Sequence, residues 1–136
     1  MSSSKEYDLN TLLHRPTILV VDDEPDIFYL LGNILRKINI DFVRAGSIRD
    51  ALDIIRRMPS ISLVFLDNHL PDGEGVEYIE NFKENDNRAV VMMTAYDTLY
   101  DRKKAEKNGA DAFIGKPFTK EQITNIIKKI LLTRAY

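Results

Sequence analysis

Five short apolar runs, at residues 17–21, 41–45, 62–66, 89–93 and 111–114, punctuate the 136-residue chain, and longer amphipathic stretches separate them. Runs this short, rich in Ile, Val and Leu, fit strands buried on both faces of a sheet. The intervening stretches follow a helical period instead. The first places Ile27, Leu30, Leu31, Ile34, Leu35 and Ile38 on one stripe, and the second Ile48, Ala51, Leu52, Ile55 and Met58, with Ser47 positioned to cap it. A third, after Gly73 and Gly75, carries Val76, Ile79 and Phe82. The fourth, at 97–108, is mostly charged, with only Leu99, Tyr100 and Ala105 apolar. In the last, Thr119 and Gln122 form a capping box ahead of Ile123, Ile126, Ile127, Ile130 and Leu131.

Strands alternating with helices imply an α/β fold, a parallel sheet with helices on both faces. Parallel crossovers need about a dozen residues or more, and every interval supplies them. Gly32 costs its helix about 1 kcal/mol relative to Ala, which points to close approach of another backbone there.

The division expected is an N-terminal extension at 1–16, one folded domain at 17–132 and a short tail at 133–136. The extension is serine-rich at first, has Leu9, Leu12 and Leu13 at helical spacing, and ends at Pro16. Nothing in the 136 residues remains for a second core or an output domain.

Nineteen basic residues against twenty-one acidic ones leave a formal charge of −2, which argues against nucleic-acid binding by this domain. The absence of cysteine excludes disulfides and thiolate metal sites, and two histidines, His14 and His69, are too few for an ordinary structural zinc site. No apolar run approaches the ~20 residues of a membrane helix, and Met1 to Tyr7 contain no secretory core. A cytoplasmic protein with no membrane partner is expected.

In a parallel α/β sheet the loops beyond the strands' carboxyl ends build the functional site. Here the first run leads into Asp22-Asp23-Glu24, the third into Asp67, the fourth into Thr94, and the fifth into Lys116-Pro117. Taken singly, each acid could be a strand terminator or a turn former. Four strand ends that agree favour one shared site. Asp22, Asp23 and Asp67 would repel one another there unless something positive compensates. Mg²⁺ with retained waters suits a site of few carboxylates, Lys116 adds an ammonium, and Thr94 a hydroxyl donor. Such a set can hold a phosphoryl group, and a carboxylate can attack phosphorus to form an acyl phosphate.

The segments Ile18-Leu19-Val20-Val21-Asp22-Asp23-Glu24-Pro25, Leu66-Asp67-Asn68-His69-Leu70-Pro71-Asp72-Gly73, Met93-Thr94-Ala95 and Lys116-Pro117-Phe118 together resemble the receiver (response regulator) domain of bacterial two-component systems, chemotaxis regulators included. The resemblance covers residues 17 to 132. It implies a doubly wound, flavodoxin-like five-stranded parallel sheet of order 2-1-3-4-5 with five helices. It implies phosphorylation of Asp67, Mg²⁺ ligated directly by Asp23, Asp67 and the backbone carbonyl of His69, and Asp22 acting through a metal-bound water. Thr94 and Lys116 would each hold a phosphoryl oxygen, the Lys116-Pro117 bond would be cis, and Phe113 would be the switch aromatic. His69 and Tyr96, two residues past Asp67 and Thr94, occupy positions that in the family tune loss of the phosphoryl group.

The implied donor is a sensor histidine kinase or histidine phosphotransfer protein in a phosphorelay, docking on the first helix near Phe28 and Tyr29. The fourth helix, with Arg102, Lys103, Lys104 and Lys107, would face an output protein or an output domain on a longer chain. The implied protein is a signalling switch that catalyses only its own phosphorylation and dephosphorylation. Two other readings are a phosphorylation-independent scaffold, against which the intact acidic set counts, and an aspartyl phosphohydrolase. The latter normally needs an acid two residues after its nucleophile, where this chain has His69.

Overall fold

The computed structural model describes residues 16–84 and 88–134. Residues 1–15 of the expected extension, with its possible short helix, lie outside them. Five strands form one parallel sheet: β1 (Thr17–Val21), β2 (Asp41–Ala45), β3 (Ile61–Asp67), β4 (Ala89–Thr94) and β5 (Ala112–Gly115). Their order is β2-β1-β3-β4-β5, as the resemblance implies. The helices are α1 (Pro25–Lys37), α2 (Ile48–Arg57), α3 (Ile79–Phe82), α4 (Leu99–Lys107) and α5 (Lys120–Arg134). The last helix runs two residues into the expected tail.

Alternation along each strand sends side chains to two separate cores. On one face Ile18 and Val20 of β1, with Leu63 and Phe65 of β3, pack under Leu31, Ile34 and Leu35 of α1 and Ile123 and Ile127 of α5. On the other, Leu19 and Val21, with Val64 and Leu66, pack under Ala51 and Ile55 of α2, Ile79 and Phe82 of α3 and Ala105 of α4. Both faces of the central strands are therefore dry, which is why their sequences read as unbroken apolar runs. Full burial of each such side chain stabilises the fold by about 1.5–3 kcal/mol.

The caps anticipated from sequence are formed. Asp50 N–H donates to Ser47 Oγ at 3.1 Å, and Gln122 N–H to Thr119 Oγ1 at 3.1 Å, while Gln122 Oε1 accepts from Thr119 N–H at 2.8 Å.

Three local expectations change. Leu30, assigned to the core stripe of α1, is 41% exposed, because it sits at the edge of that stripe. Gly32 is buried, but its close neighbour is a side chain: a Cβ there would lie 3.0 Å from the Phe42 ring. The third helix is mostly a 3₁₀ turn, Gly75–Tyr78, leading into the single turn of α3. Val76, Ile79 and Phe82 are spaced by three, which a 3₁₀ segment stacks on one face as readily as an α-helix does, and all three are buried.

Candidate functional site

Four of the five parallel strands deliver a polar residue to one edge of the sheet. At the end of β1, Asp22 N–H donates to Ala45 O at 3.0 Å, which fixes the backbone just beyond the strand. Its carboxylate is fully buried; Oδ1 accepts from Glu24 N–H at 2.8 Å, and Oδ2 from Lys116 Nζ at 2.8 Å. Asp67, the last residue of β3, is also buried, with Oδ1 3.2 Å from Lys116 Nζ. Lys116 follows β5, its N–H donates to Thr94 O at 2.7 Å, and the Lys116-Pro117 bond is cis. One ammonium thus bridges two buried carboxylates from different strands.

The loop after Asp67 is pinned at its base. Asn68 N–H donates to Met93 O at 3.1 Å, while Asn68 accepts from Gly75 N–H through its carbonyl at 2.9 Å and from Val76 N–H through Oδ1 at 3.1 Å. Gly75 packs so tightly on Asp67 that a Cβ would overlap the Asp67 carbonyl oxygen, so only glycine fits there. Thr94 is buried, and its Oγ1 accepts from Tyr96 N–H at 3.0 Å, leaving the hydroxyl proton free to donate elsewhere. The His69 ring lies edge-on to that of Tyr96, with centroids 5.0 Å apart. Phe113, Thr94, Asn68 and Met92 line one small cavity, and the Arg102 guanidinium covers the Phe113 ring at 4.9 Å.

These surroundings set the protonation of the cluster. Burial pushes the Asp67 carboxyl up to about 6, and the neighbouring charge of Asp22 adds to the rise, which Lys116 offsets only in part. Burial also raises Asp22. For Lys116, burial alone would lower the pKa, but Asp22, Asp67 and Glu24 together outweigh it and hold the ammonium charged well above neutrality.

Of the residues singled out from sequence, Asp22, Asp67 and Lys116 touch, and Thr94 stands at the end of the strand beside Asp67. Asp23 is exposed and falls outside the acidic cluster. That cluster is Asp22, Glu24 and Asp67, each offering an oxygen within 4.8 Å of the others. Glu24 was not anticipated. It is the N-cap position of α1 but caps nothing with its side chain, so its carboxylate leans to Lys116 at 3.2 Å. The unbroken acidic run at 22–24 was the one available signal. A pocket of hard oxygen donors that is more negative than its single ammonium can balance fits a divalent cation such as Mg²⁺.

The architecture is that of a doubly wound, flavodoxin-like α/β protein. A profile of the response regulator receiver domain family matches residues 18–128, and the chain belongs to that family. It is 34% identical to sporulation initiation phosphotransferase F of Bacillus subtilis, over 84% of this chain and 92% of that protein. It is 32% identical to the response regulator protein PilR of Pseudomonas aeruginosa over 90% of this chain, but spans only 27% of PilR. Among solved structures, a CheY-like receiver domain protein from Methanospirillum hungatei superposes with a TM-score of 0.81 at 28% identity, covering 88% of this chain and 95% of that one. Receiver domains of response regulators are signalling switches. No helix among the described residues is long and apolar enough to cross a membrane.

Proposed function

We propose that this receiver domain accepts a phosphoryl group onto Asp67 from a phosphohistidine donor, in a Mg²⁺-dependent reaction, and thereby switches the binding of an output partner. The observation that carries the proposal is Lys116 Nζ, held 2.8 to 3.2 Å from Asp22, Glu24 and Asp67 at the meeting of β1, β3 and β5.

Asp67 presents a carboxylate oxygen as the nucleophile. A P–O bond forms as the donor's P–N bond breaks, and the imidazole leaves with a proton from solvent. By the family resemblance Asp23, Asp67 and the His69 carbonyl would ligate Mg²⁺, and Asp22 would act through a metal-bound water. Asp23, exposed here, would have to turn toward the cluster of Asp22, Glu24 and Asp67, with Glu24 adding negative charge at the rim. Bound there, the ion would supply charge neutralisation to the phosphoryl oxygens.

Lys116 is already ion-paired to Asp67, so a phosphoryl group built on that carboxylate would form beside the ammonium without a large side-chain movement. The Thr94 hydroxyl has a proton to donate, and a bond to a phosphoryl oxygen would draw on the segment that carries Tyr96. That segment leads through Asp97 to Arg102 on α4, and Arg102 covers Phe113. The donor would be a histidine kinase or phosphotransfer protein, in keeping with the phosphotransferase name of the Bacillus relative. Tyr29, 69% exposed on α1, is available to such a partner, whereas Phe28 is partly buried, edge-on to Phe42 and covered by Arg44.

The test is incubation with Mg²⁺ and a small phosphoramidate or acyl-phosphate donor, followed by intact-mass measurement. Wild type gains one phosphoryl group, and Asp67→Asn or chelation of the metal abolishes the gain. Wild type that stays unmodified at saturating donor sinks the proposal.

A further inference from the structure

Five residues beyond Asp67 the chain turns at the tip of a small hairpin, in which His69 pairs with Glu74 and Leu70 with Gly73. Asp72 occupies that tip, and its carboxylate reaches sideways to another element. Ile48 N–H donates to Oδ1 and Arg49 N–H to Oδ2, both at 2.9 Å. These are first-turn amides of α2, which lack intrahelical partners, and they sit at the positive end of the helix dipole. The bonds from Arg49 and then Ile48 hold the Asp72 carboxyl below the usual carboxylate range, so the contact persists wherever the site itself is ionised.

Helix α2 does not depend on this contact for a cap, because Ser47 already supplies one from the adjacent position. The loop has more to gain. Its base is pinned by Asn68, and its tip by Asp72, with His69-Leu70-Pro71 strung between the two. Gly73 adds a packing contact on the same side: a Cβ there would meet Ile48 Cδ1 at 3.2 Å. Without Asp72 the loop would lose both hydrogen bonds to α2. It would keep the hairpin pairing, the packing of Gly73 on Ile48 and Tyr78, the contact of Leu70 with the core, and the His69–Tyr96 ring contact.

We propose that Asp72 is a positioning residue for the phosphoacceptor site, clamping the tip of the loop to the N-terminus of α2 and so fixing the His69 carbonyl where Mg²⁺ would bind. The consequence for the metal rests on the phosphoacceptor reading above; the clamp is measurable without any metal.

Four full-length proteins separate the possibilities: wild type, Asp72→Ala, Asp72→Asn and Ser47→Ala. Both alanine variants remove a cap from the same helix, but only Asp72→Ala frees the loop. Hydrogen exchange on metal-free protein should show amides in 69–74 exchanging roughly tenfold faster in Asp72→Ala and unchanged in Ser47→Ala. Calorimetric titration with MgCl₂ should show affinity about tenfold weaker in Asp72→Ala, wild-type affinity in Ser47→Ala, and partial rescue in Asp72→Asn, which keeps one acceptor oxygen. Ser47→Ala should still lose about 3 to 6 °C in Tm, which separates helix stability from loop position. Wild-type exchange and Mg²⁺ affinity in Asp72→Ala, or the same changes in Ser47→Ala, overturn the clamp. Wild type that binds no Mg²⁺ overturns the metal role together with the phosphoacceptor reading.

Discussion

Helices α2 and α4 lie over the same face of the sheet, yet opposite means hold them there. Helix α2 buries Ile48, Ala51 and Ile55, and Ser47 and Asp72 both bind its first-turn amides. Helix α4 buries only Ala105, while Leu99 and Tyr100 stand 68% and 72% exposed. Its attachments are polar. Arg102 is bidentate to Asp97 at 2.6 and 2.9 Å, Lys104 pairs with Glu77 at 2.6 Å, and Asn108 Nδ2 donates to Val76 O at 2.9 Å. Burial of hydrocarbon is indifferent to a charge added at the strand ends, whereas exposed ion pairs are each worth about 0–1 kcal/mol and respond to it. A phosphoryl group at Asp67 would therefore find α4 the responsive helix and α2 the fixed one.

Core truncation gives the largest effect and the most direct way to break this contrast. Ile55→Ala should lower the unfolding free energy by about 2–4 kcal/mol, through lost burial and a cavity. Leu99→Ala should stay within about 0.5 kcal/mol, because that side chain is mostly exposed. Urea denaturation of both variants decides the matter, and similar losses at the two positions would abolish the distinction.

That distinction was half visible in the sequence. The stripe of α2 and the sparse apolar content of α4 could be read from periodicity, and Asp22, Asp67, Thr94 and Lys116 could be placed because strand ends have only one edge to occupy. The contacts that hold α4, and those of Glu24 and Asp72, could not. Each joins residues from separate elements through side-chain polar atoms, and such pairs leave no period in a sequence. The same limit explains Gly32, where the crowding comes from Phe42 on the next strand. Periodicity also overreached at Leu30, since a stripe does not say where its buried edge stops.

The buried charges supply a second, smaller effect. Burial first, and then the charge of Asp22, push the Asp67 carboxyl up to about 6 in the folded protein, from an ordinary value of 3.8. A raised folded pKa means that the native state favours the protonated form. The stabilisation is thus fully present below about pH 4 and is lost as pH rises through about 6. Metal-free wild type should lose on the order of 1–3 kcal/mol between those limits from this group, and Asp67→Asn should remove most of that slope and be the more stable protein at pH 7.5. Adding Mg²⁺ at pH 7.5 should restore stability to wild type and leave Asp67→Asn unchanged. Thermal melts across pH 4 to 8, with and without the metal, test both statements, and parallel wild-type and variant curves would refute them.

The smallest expected change probes α4 alone. Arg102→Gln deletes an exposed ion pair and the cationic cover over Phe113, and should cost no more than about 1 kcal/mol of global stability. Its local effect should be larger than that figure implies, since Arg102 joins the segment after Thr94 to the Phe113 ring. Amides of α4 should exchange several-fold faster while those of α2 keep their wild-type rates, and the Phe113 ring resonances should shift. Raising NaCl from 0.1 M to 1 M shrinks the screening length from about 10 Å to about 3 Å, so wild type should move toward the variant and the variant should move little. Equal acceleration in both helices would mean that they open as one cooperative unit, and α4 would then have no independent freedom for a phosphoryl group to use.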